Sequence, residues 1–391
     1  MTRRVTAVVC SSLLALATAS CGGDDDDSTS TTPTVPATVP ATVPGTAAAG
    51  DDVVTGEAFP AARCEANRAA GTITYLTGFD YAATASIVEV LVAKDAGYFD
   101  QLCLDVEIKA GVSNQNYPFL ASNEAQFSSG GSFSELVNYA TSNDARFVAM
   151  AIEGKTGIDA LIVKPGAAAT LDDLRGTTIG VKGAITTSVA AMLKQAGLTE
   201  GTDYETVLID GFDPKVHIEI PNIVGFPGYK SNEPLQLEAA GIPFDLFDPA
   251  AYDIPGSFGV LYTNGQFLSD HPTAAQDFVR AAMKGLADAV ADPKAASDVA
   301  LGYINASGNA MFLSPEGEEA RWKVESGLVV STNSTTALGV PEPALLTDEV
   351  TVYAQVGLFD GTAPDITPYF DAETISAVYD ASGTVVWPAA G

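Results

Sequence analysis

The sequence predicts an α/β protein with two Rossmann-like lobes, and two observations support that fold class. From residue 71 onward, short runs rich in β-branched residues alternate with stretches of helical spacing, which is typical of a mostly parallel sheet. The alternation starts again near residue 158, so a second unit of the same kind is expected. With 391 residues, of which 47 % are hydrophobic, the chain is long enough to give both units a core.

The first unit is expected to open with a strand at 71–77, where apolar and polar residues alternate. A helix at 82–96 follows, and Gly97 should end it because glycine adopts the left-handed C-cap conformation without a Cβ penalty. Tyr98 and Phe99 are expected to pack at that corner. The remaining elements are strands at 104–109, 125–129 and 146–152 and helices at 116–122 and 134–142.

The second unit repeats the pattern before the chain returns to the first. Its predicted elements are strands at 158–163, 178–181, 206–209, 223–226 and 244–247, a short turn at 171–174, and helices at 187–196 and 233–240. A long β-rich run at 258–263 comes next. After Pro272 the chain is predicted to be largely helical to about residue 381.

Two extended crossings, near 157–161 and 255–260, would join the units and act as a hinge. We therefore expect one lobe at 59–158 with 258–391, which includes the C-terminal helices. The other lobe is expected at 159–257, with a cleft between the two.

The first twenty residues have the features of an export signal. Arg3 and Arg4 precede an apolar run at 5–16, which is too short to span a membrane but fits a signal-peptide core. The run leads to small residues before Cys21, a pattern similar to the lipobox of bacterial lipoproteins, except that Thr18 stands where leucine is usual. We expect lipid attachment at Cys21, and ordinary signal-peptide cleavage is the alternative.

A disordered tether is expected between the signal and the globular part. Residues 21–58 contain four consecutive aspartates, a Pro/Thr-rich repeat and an Ala/Gly run, none of which can build a core. Residues 1–20 would be removed as the lipoprotein signal peptide. The mature protein is therefore expected outside the cytoplasm, held at the outer face of the bacterial cytoplasmic membrane by the lipid on Cys21.

Two cysteines remain in the globular part once Cys10 and Cys21 are assigned to the N-terminal region. In an oxidising compartment, a leftover pair predicts a disulfide, here between Cys64 and Cys103. Two buried free thiols are the alternative.

The charge balance excludes several classes of function. The chain has 49 acidic and 19 basic residues and a formal net charge of −30, so phosphate backbones and anionic headgroups would repel it. Nucleic acid is therefore not an expected partner. The two histidines, His217 and His271, are far apart in the sequence, and no cysteine or histidine cluster has the spacing of a zinc site. We expect neither a metal nor a cofactor.

Several segments resemble one family. Residues 94–100 (KDAGYFD) with 104–108 (LDVEI), and residues 171–181 (LDDLRGTTIGV), are similar to signature segments of solute-binding proteins of the nitrate/sulfonate/thiamine-precursor group. Residues 226–237, which include the sequence NEP, resemble the thiamine-pyrimidine-synthase-like branch. The resemblance extends over about residues 70–300.

The resemblance implies a type II periplasmic-binding-protein fold, in which two lobes close on a ligand. It also implies the permease subunits of an ABC importer as partners and no catalytic activity. A monomer is expected. One departure is Cys103, which stands where the family usually has glycine and leaves the geometry of that turn open.

Candidate ligand contacts lie after the carboxyl ends of predicted strands, where open α/β sheets bind ligands. One candidate loop opens a predicted helix, whose free N–H groups can bind an oxygen. The alternative for the glycines in these loops is that they only allow the chain to turn and do not contact a ligand. The candidates in these loops and at the crossings are Phe79, Asp80, Tyr81, Gly130, Gly131, Ser132, Thr156, Thr186, Thr187, Ser188 and Asp253.

Tyr229 and Glu233 are the sharpest candidates. A carboxylate can accept paired hydrogen bonds from the edge of an aminopyrimidine, and a tyrosine ring can stack on its face. The alternative is that Glu233 and its neighbours only start a helix, with Pro234 in the first turn.

These observations predict a solute-binding protein that delivers a small molecule to an ABC permease. The acidic surface and Glu233 favour a neutral or cationic heterocycle, with a thiamine pyrimidine precursor first and a flavin second. Sulfonate- or nitrate-type anions, and a role as a ligand-sensing lipoprotein for a signalling receptor, are the alternatives. An enzyme of thiamine-pyrimidine synthesis is a further class, but that chemistry needs histidine and iron ligands, and the two histidines are isolated.

Overall fold

The computed structural model describes residues 52–307 and 314–389. The predicted signal peptide, the lipidation site and most of the predicted tether lie outside the described residues. The last tether residues, 52–58, form no helix or strand and are held against the C-terminal end of the chain. The Gly56 N–H donates to the Trp387 carbonyl at 3.0 Å, and the Ala389 N–H donates to the Glu57 carbonyl at 2.7 Å.

The described chain is built around two five-stranded sheets, which confirms the predicted α/β architecture. The strands of the first sheet are β1 (Thr72–Leu76), β2 (Asp105–Lys109), β3 (Phe127–Gly130), β4 (Phe147–Gly154) and β10 (Phe258–Asn264). Their order is β2-β1-β3-β10-β4. The first three strands in this order are parallel, and β10 lies antiparallel between β3 and β4.

The strands of the second sheet are β5 (Asp159–Val163), β6 (Thr178–Val181), β7 (Glu205–Leu208), β8 (Gly225–Tyr229) and β9 (Asp245–Phe247). Their order is β7-β6-β8-β5-β9. β7, β6 and β8 are parallel, whereas β5 runs antiparallel to both of its neighbours. The carboxyl ends of the three parallel strands therefore meet at one edge of the sheet.

Helices pack around both sheets. The helices are α1 (Ala61–Ala69), α2 (Val88–Asp95), α3 (Tyr98–Gln101), α4 (Ser113–Ala121), α5 (Phe133–Asn143), α6 (Thr187–Gln195), α7 (Pro214–Glu219), α8 (Glu233–Ala239), α9 (Gly265–Asp270), α10 (Pro272–Ala291), α11 (Pro293–Ser307), α12 (Pro315–Thr332), α13 (Pro343–Ala354) and α14 (Ala372–Ser376). Short 3₁₀ turns lie at Leu171–Leu174, Pro249–Tyr252, Leu358–Gly361 and Thr367–Tyr369. Each of α10 to α13 begins with a proline, a residue that suits the first helical turn. Among the described residues, no helix has both the length and the apolar character needed to cross a membrane.

The core of the first sheet is built on aromatic side chains. Phe127 of β3 and Phe278 of α10 stack with ring centroids 3.9 Å apart, and Phe99 lies 5.0 Å from Phe278. Trp322 of α12 is fully buried in the same cluster and donates its indole N–H to the Ala289 carbonyl at 2.8 Å. These contacts attach α12 firmly to the first sheet.

The second sheet has a separate core. Leu161 of β5, Ile179 of β6 and Met192 of α6 are fully buried in it. Tyr353 of α13 is buried in the same cluster. The C-terminal helices therefore contact both sheets.

The turn around Cys103 keeps the conformation that glycine favours. Cys103 has a φ of +59°, in the left-handed region that most residues avoid. It forms a disulfide with Cys64 of α1, which confirms the predicted pairing. Gly97 follows α2 with a φ of +70°, as its helix-ending position predicts, and Phe99 is buried.

Residues 82–87 form a loop before α2, although the sequence pattern predicted helix there. The Ala83 N–H donates to the Glu318 carboxylate and the Ala85 N–H donates to the Glu325 carboxylate, each at 2.7 Å. These distant acceptors replace the hydrogen bonds of a helical turn. Because they come from α12, local sequence could not reveal them.

Two segments, 155–158 and 248–257, connect the sheets close to the predicted crossings. They touch at two glycines. A Cβ on Gly256 would lie 2.7 Å from the Gly157 nitrogen, so a side chain there would force the two connections apart.

Candidate functional site

The carboxyl ends of β6 and β8 gather polar side chains at one edge of the second sheet. Lys182 follows β6 directly, and Tyr229 is the last residue of β8. Asp159, the first residue of the antiparallel β5, is the register partner of Tyr229. Glu233 begins α8 beside them. Open α/β sheets bind ligands at such an edge.

Glu233 is held by two contacts. Its Oε1 lies 2.8 Å from Lys182 Nζ, and its Oε2 accepts the Tyr229 backbone N–H at 2.8 Å. A Cβ on Gly228 would lie 3.0 Å from the Glu233 carboxyl carbon, so the strand approaches closely only because residue 228 is glycine. Glu233 thus starts α8, as the alternative interpretation held, and also presents a fixed carboxylate at this edge.

Lys182 and Phe212 are contributors that the sequence reasoning missed. The Lys182 ammonium lies 5.4 Å from the centroid of the Phe212 ring, close enough for a cation–π contact. Phe212 is 57 % exposed, which is unusual for a phenylalanine. The ion pair of Lys182 and Glu233 therefore has an accessible aromatic ring on one side.

Asp159 is a third missed residue, and it is hydrogen-bonded to a predicted one, Ser188. Ser188, at the start of α6, donates its hydroxyl to Asp159 Oδ2 at 3.0 Å. Burial, reinforced by the nearby Glu135 carboxylate, raises the pKa of Asp159 to about 7. This carboxyl is therefore partly protonated at neutral pH and can donate as well as accept a hydrogen bond.

Tyr229 lies where the two sheets face each other. Its side chain is 48 % exposed, yet the surrounding protein and the carboxylates of Asp159 and Glu135 raise the pKa of its hydroxyl well above the ordinary value. Glu135 lies on helix α5, which packs on the first sheet, whereas Asp159 lies on strand β5 of the second sheet. A ring that solvent can reach but that protein surrounds on several sides indicates a cleft.

The first-sheet side of this cleft is the N-terminus of α5. Ser132 caps the helix by accepting the Glu135 N–H at 3.3 Å, and the Ser132 N–H donates back to the Glu135 carboxylate at 3.4 Å. A Cβ on Gly131 would lie 2.5 Å from a Glu135 oxygen, so a side chain there would displace the Glu135 carboxylate. Burial raises the pKa of Glu135. Ser132 and Gly131 thus shape the position of Glu135, which the sequence reasoning did not single out. Gly130 ends β3 just before them.

Phe79 and Asp80 line a different feature, a cavity of about 680 Å³ beside β1, β2 and α4. Phe79, Val112 and Phe119 give it partly exposed apolar walls. Its lining comes from the first sheet alone. We therefore take the cleft around Tyr229, where carboxyl groups from both halves converge, as the candidate site. Tyr81 packs on Tyr303 of α11, with ring centroids 5.4 Å apart.

The remaining predicted residues lie around these features. Thr156 is half-buried on the 155–158 connection, and Thr186 and Thr187 lie at the start of α6. The buried Thr186 hydroxyl has no hydrogen-bond partner within the described chain. Asp253 is exposed and ends a 3₁₀ turn with a φ of +58°, and its side chain joins none of the contacts above.

The described residues offer no group of three or more histidine, cysteine or acidic side chains placed to hold a metal ion. What the cleft offers is a set of hydrogen-bonding groups and rings.

Comparisons with known proteins identify the family. The family described as NMT1/THI5 like matches residues 84–296, more than half of the chain. The riboflavin-binding protein RibY of Chloroflexus aurantiacus is 34 % identical over 145 residues. That match covers 35 % of this chain and only 39 % of the relative's length.

Solved structures agree on the fold. The periplasmic sulfonate-binding protein SsuA of Methylobacillus flagellatus superposes with a TM-score of 0.54 at 17 % identity. The match covers 78 % of this chain and 93 % of that one. The zinc-bound ligand-binding component of an ABC-type import system from Staphylococcus aureus gives a TM-score of 0.54 at 14 % identity, over 78 % of this chain and 97 % of that one. With two sheets of this strand order, two connecting segments and this family match, the chain belongs to the NMT1/THI5-like family and has the periplasmic-binding-protein fold.

Proposed function

We propose that this chain is the extracytoplasmic solute-binding component of an ABC importer. The observation that carries the proposal is the cleft around Tyr229, where Glu135 of the first sheet and Asp159 of the second converge. In this proposal the lobes are 59–158 with 258–391 and 159–257, and they close on one ligand. The chain acts as a monomer, hands its ligand to the permease subunits, and catalyses no reaction.

The charges of the cleft favour a neutral nitrogen heterocycle over an anion. A sulfonate or nitrate would face the Glu135 and Asp159 carboxyls, whose ionised fraction repels it. The charge of Glu233 is balanced by Lys182 at 2.8 Å, so this pair offers a donor and an acceptor side by side without net charge. Such a pair complements a ring edge that carries an acceptor beside an N–H, as both aminopyrimidines and flavins do.

The rings of Tyr229 and Phe212 suit the faces of such a heterocycle, because aromatic faces stack. A thiamine pyrimidine precursor and a flavin are the two ligands of this class that we propose. The partial match to a riboflavin-binding protein supports the flavin. The thiamine precursor rests on the resemblance of residues 226–237.

The proposed location is outside the cytoplasm. A disulfide between Cys64 and Cys103 is typical of an oxidising compartment. The signal peptide at 1–20, a lipid on Cys21 and a tether after it would hold the protein at the outer face of the cytoplasmic membrane.

Titration calorimetry on the chain from residue 22 onward tests the ligand class. Riboflavin, a 4-amino-5-hydroxymethylpyrimidine, an alkanesulfonate and nitrate would be titrated in parallel. We expect binding of riboflavin or the pyrimidine and none of the two anions. Tight binding of an anion would contradict the proposed heterocycle ligand, and only the proposal of a solute-binding protein would remain.

The variant Glu233→Gln tests the role of the fixed carboxylate. It should weaken heterocycle binding by about 1–3 kcal/mol, the range for losing a charged hydrogen bond. Glu238→Gln is the matched control, because Glu238 lies exposed on the same helix. Equal affinity of the two variants would remove Glu233 from the ligand site.

A further inference from the structure

One face of α12 carries charged side chains that are buried. Glu318, Arg321 and Glu325 have spacings of three and four residues, which place them on the same side of a helix. Their exposed fractions are 0, 7 and 2 %. Buried charges are costly unless they are paired, so their partners show what this face does.

Toward the first sheet, this face holds the loop before α2. Glu318 accepts the Ala83 N–H, and Glu325 Oε2 accepts the Ala85 N–H and the Thr84 hydroxyl. Trp322, between them in sequence, is buried in the first-sheet core. These contacts make α12 a fixed part of the first-sheet side.

Toward the second sheet, the same face holds the segment between Tyr229 and Glu233. The Ser231 hydroxyl donates to Glu325 Oε1 at 2.7 Å, and Arg321 Nη2 donates to Asn232 Oδ1 at 2.9 Å. Ser231 is 1 % exposed, so this contact is closed to solvent. A single carboxylate, Glu325, thus bonds both sides of the cleft through its two oxygens.

We propose that α12 is a latch, in which Glu325 and Arg321 bind the 229–233 segment when the lobes are closed and release it when they open. The hydrogen bonds from Thr84 and Ala85 to Glu325 remain in both states. Opening therefore breaks only the Ser231–Glu325 and Asn232–Arg321 hydrogen bonds. Because those two residues sit between Tyr229 and Glu233, the latch also positions the proposed ligand contacts. This last step rests on the proposed function, whereas the latch itself does not.

The test removes the second-sheet half of the latch and measures lobe separation. Ser231→Ala deletes only the bond to Glu325, whereas Asn232→Ala deletes the bond from Arg321 and also the bond from Gln236 within α8. Both variants leave the Glu325 contacts to the first sheet intact. Ser331→Ala, which removes an exposed hydroxyl on the same helix, is the control. Spin labels on Ser142→Cys of α5 and Lys215→Cys of α7, both exposed, report the distance between the lobes by pulsed electron spin resonance. The measurement is made without solute and with riboflavin.

We expect Ser231→Ala and Asn232→Ala to shift the solute-free distance distribution toward longer values, while Ser331→Ala matches the wild type. Ser231→Thr, which keeps the hydroxyl, should restore the shorter distances. Where riboflavin binds, Ser231→Ala should weaken it about tenfold, mainly through faster dissociation. A purely structural role would lower the unfolding temperature without changing the distances, and that result would overturn the latch. If riboflavin fails to bind the wild type, the flavin is wrong as a ligand, and the solute-free distances still decide for or against the latch.

Discussion

The two sheets of this protein place their charged side chains differently. Around the first sheet, Asp277 of α10 is fully buried and accepts hydrogen bonds from Arg63, Arg280 and Asn67 at 2.7–3.1 Å. At the edge of the second sheet, the Lys182–Glu233 pair lies at the mouth of a cleft beside an exposed ring. The first arrangement satisfies its charges internally, whereas the second leaves hydrogen-bonding capacity for another molecule. The first network therefore contributes to stability alone, whereas the second pair belongs to the proposed ligand cleft, to which the first-sheet side adds Glu135.

The largest expected effect tests the buried network. Asp277→Ala would leave the Arg63 and Arg280 guanidinium groups buried without a carboxylate, which typically costs 3–5 kcal/mol. Urea unfolding would show this loss, while the folded fraction should bind its ligand with unchanged affinity. Asp172→Ala, which breaks an exposed pair with Arg175, should cause no measurable change. If both variants lowered the free energy of unfolding equally, buried charge networks and exposed ion pairs would contribute equally to stability, contrary to this expectation.

The disulfide provides the next test. Replacing both Cys64 and Cys103 with serine should lower the free energy of unfolding by about 2–4 kcal/mol, because it releases a constraint across 39 residues of the unfolded chain. Both cysteines lie on the first-sheet side, so ligand affinity should again be unaffected. A loss of affinity in a fully folded double variant would show that the two halves are not separable in this way.

Much of the fold could be predicted from sequence, because its signals are local, whereas neither of these two charge arrangements was predicted. The alternation of strands and helices, the glycine after α2 and the leftover cysteine pair each depend on a few neighbouring residues. The ends of β3 and β8 and the start of α6 were located for the same reason, and they supplied Ser132, Tyr229 and Ser188.

The missing parts of the site depend on long-range geometry. Asp159 faces Tyr229 only because β5 pairs antiparallel with β8, and Lys182 reaches Glu233 across 51 residues. Glu135 comes from the other sheet altogether. The antiparallel position of β10 between β3 and β4 could not be predicted either, because a β-rich run indicates neither which strand it pairs with nor in which direction.

The last expected effect is a change in the slope of stability with pH, not a loss at a single pH. Burial raises the pKa of Glu89, beside Glu153 and Glu325, to about 8 from an ordinary value near 4.5. Between these values the folded protein holds a proton that the unfolded chain has lost. The stabilisation is therefore complete below about pH 4.5 and is progressively lost as the pH rises to about 8.

Glu89→Gln should flatten this slope, as measured by urea unfolding at pH 5, 6, 7 and 8. Glu65→Gln, an exposed change on α1, should leave the slope as it is in the wild type. An unchanged slope in Glu89→Gln would mean that the proton is held by another of the buried carboxyls on the first-sheet side.

The start of the described chain is fastened to that same side. Gly56 pairs with Trp387, whose indole ring packs edge-on against Tyr98 of α3 with ring centroids 5.0 Å apart. A pull on any residue before 52 is therefore transmitted to the half that contains the disulfide and the buried Asp277. If the lobes close as proposed, this half would stay fixed relative to the N-terminus and the second-sheet half would move. The Lys182–Glu233 pair would then travel with the moving part, relative to whatever holds the N-terminus.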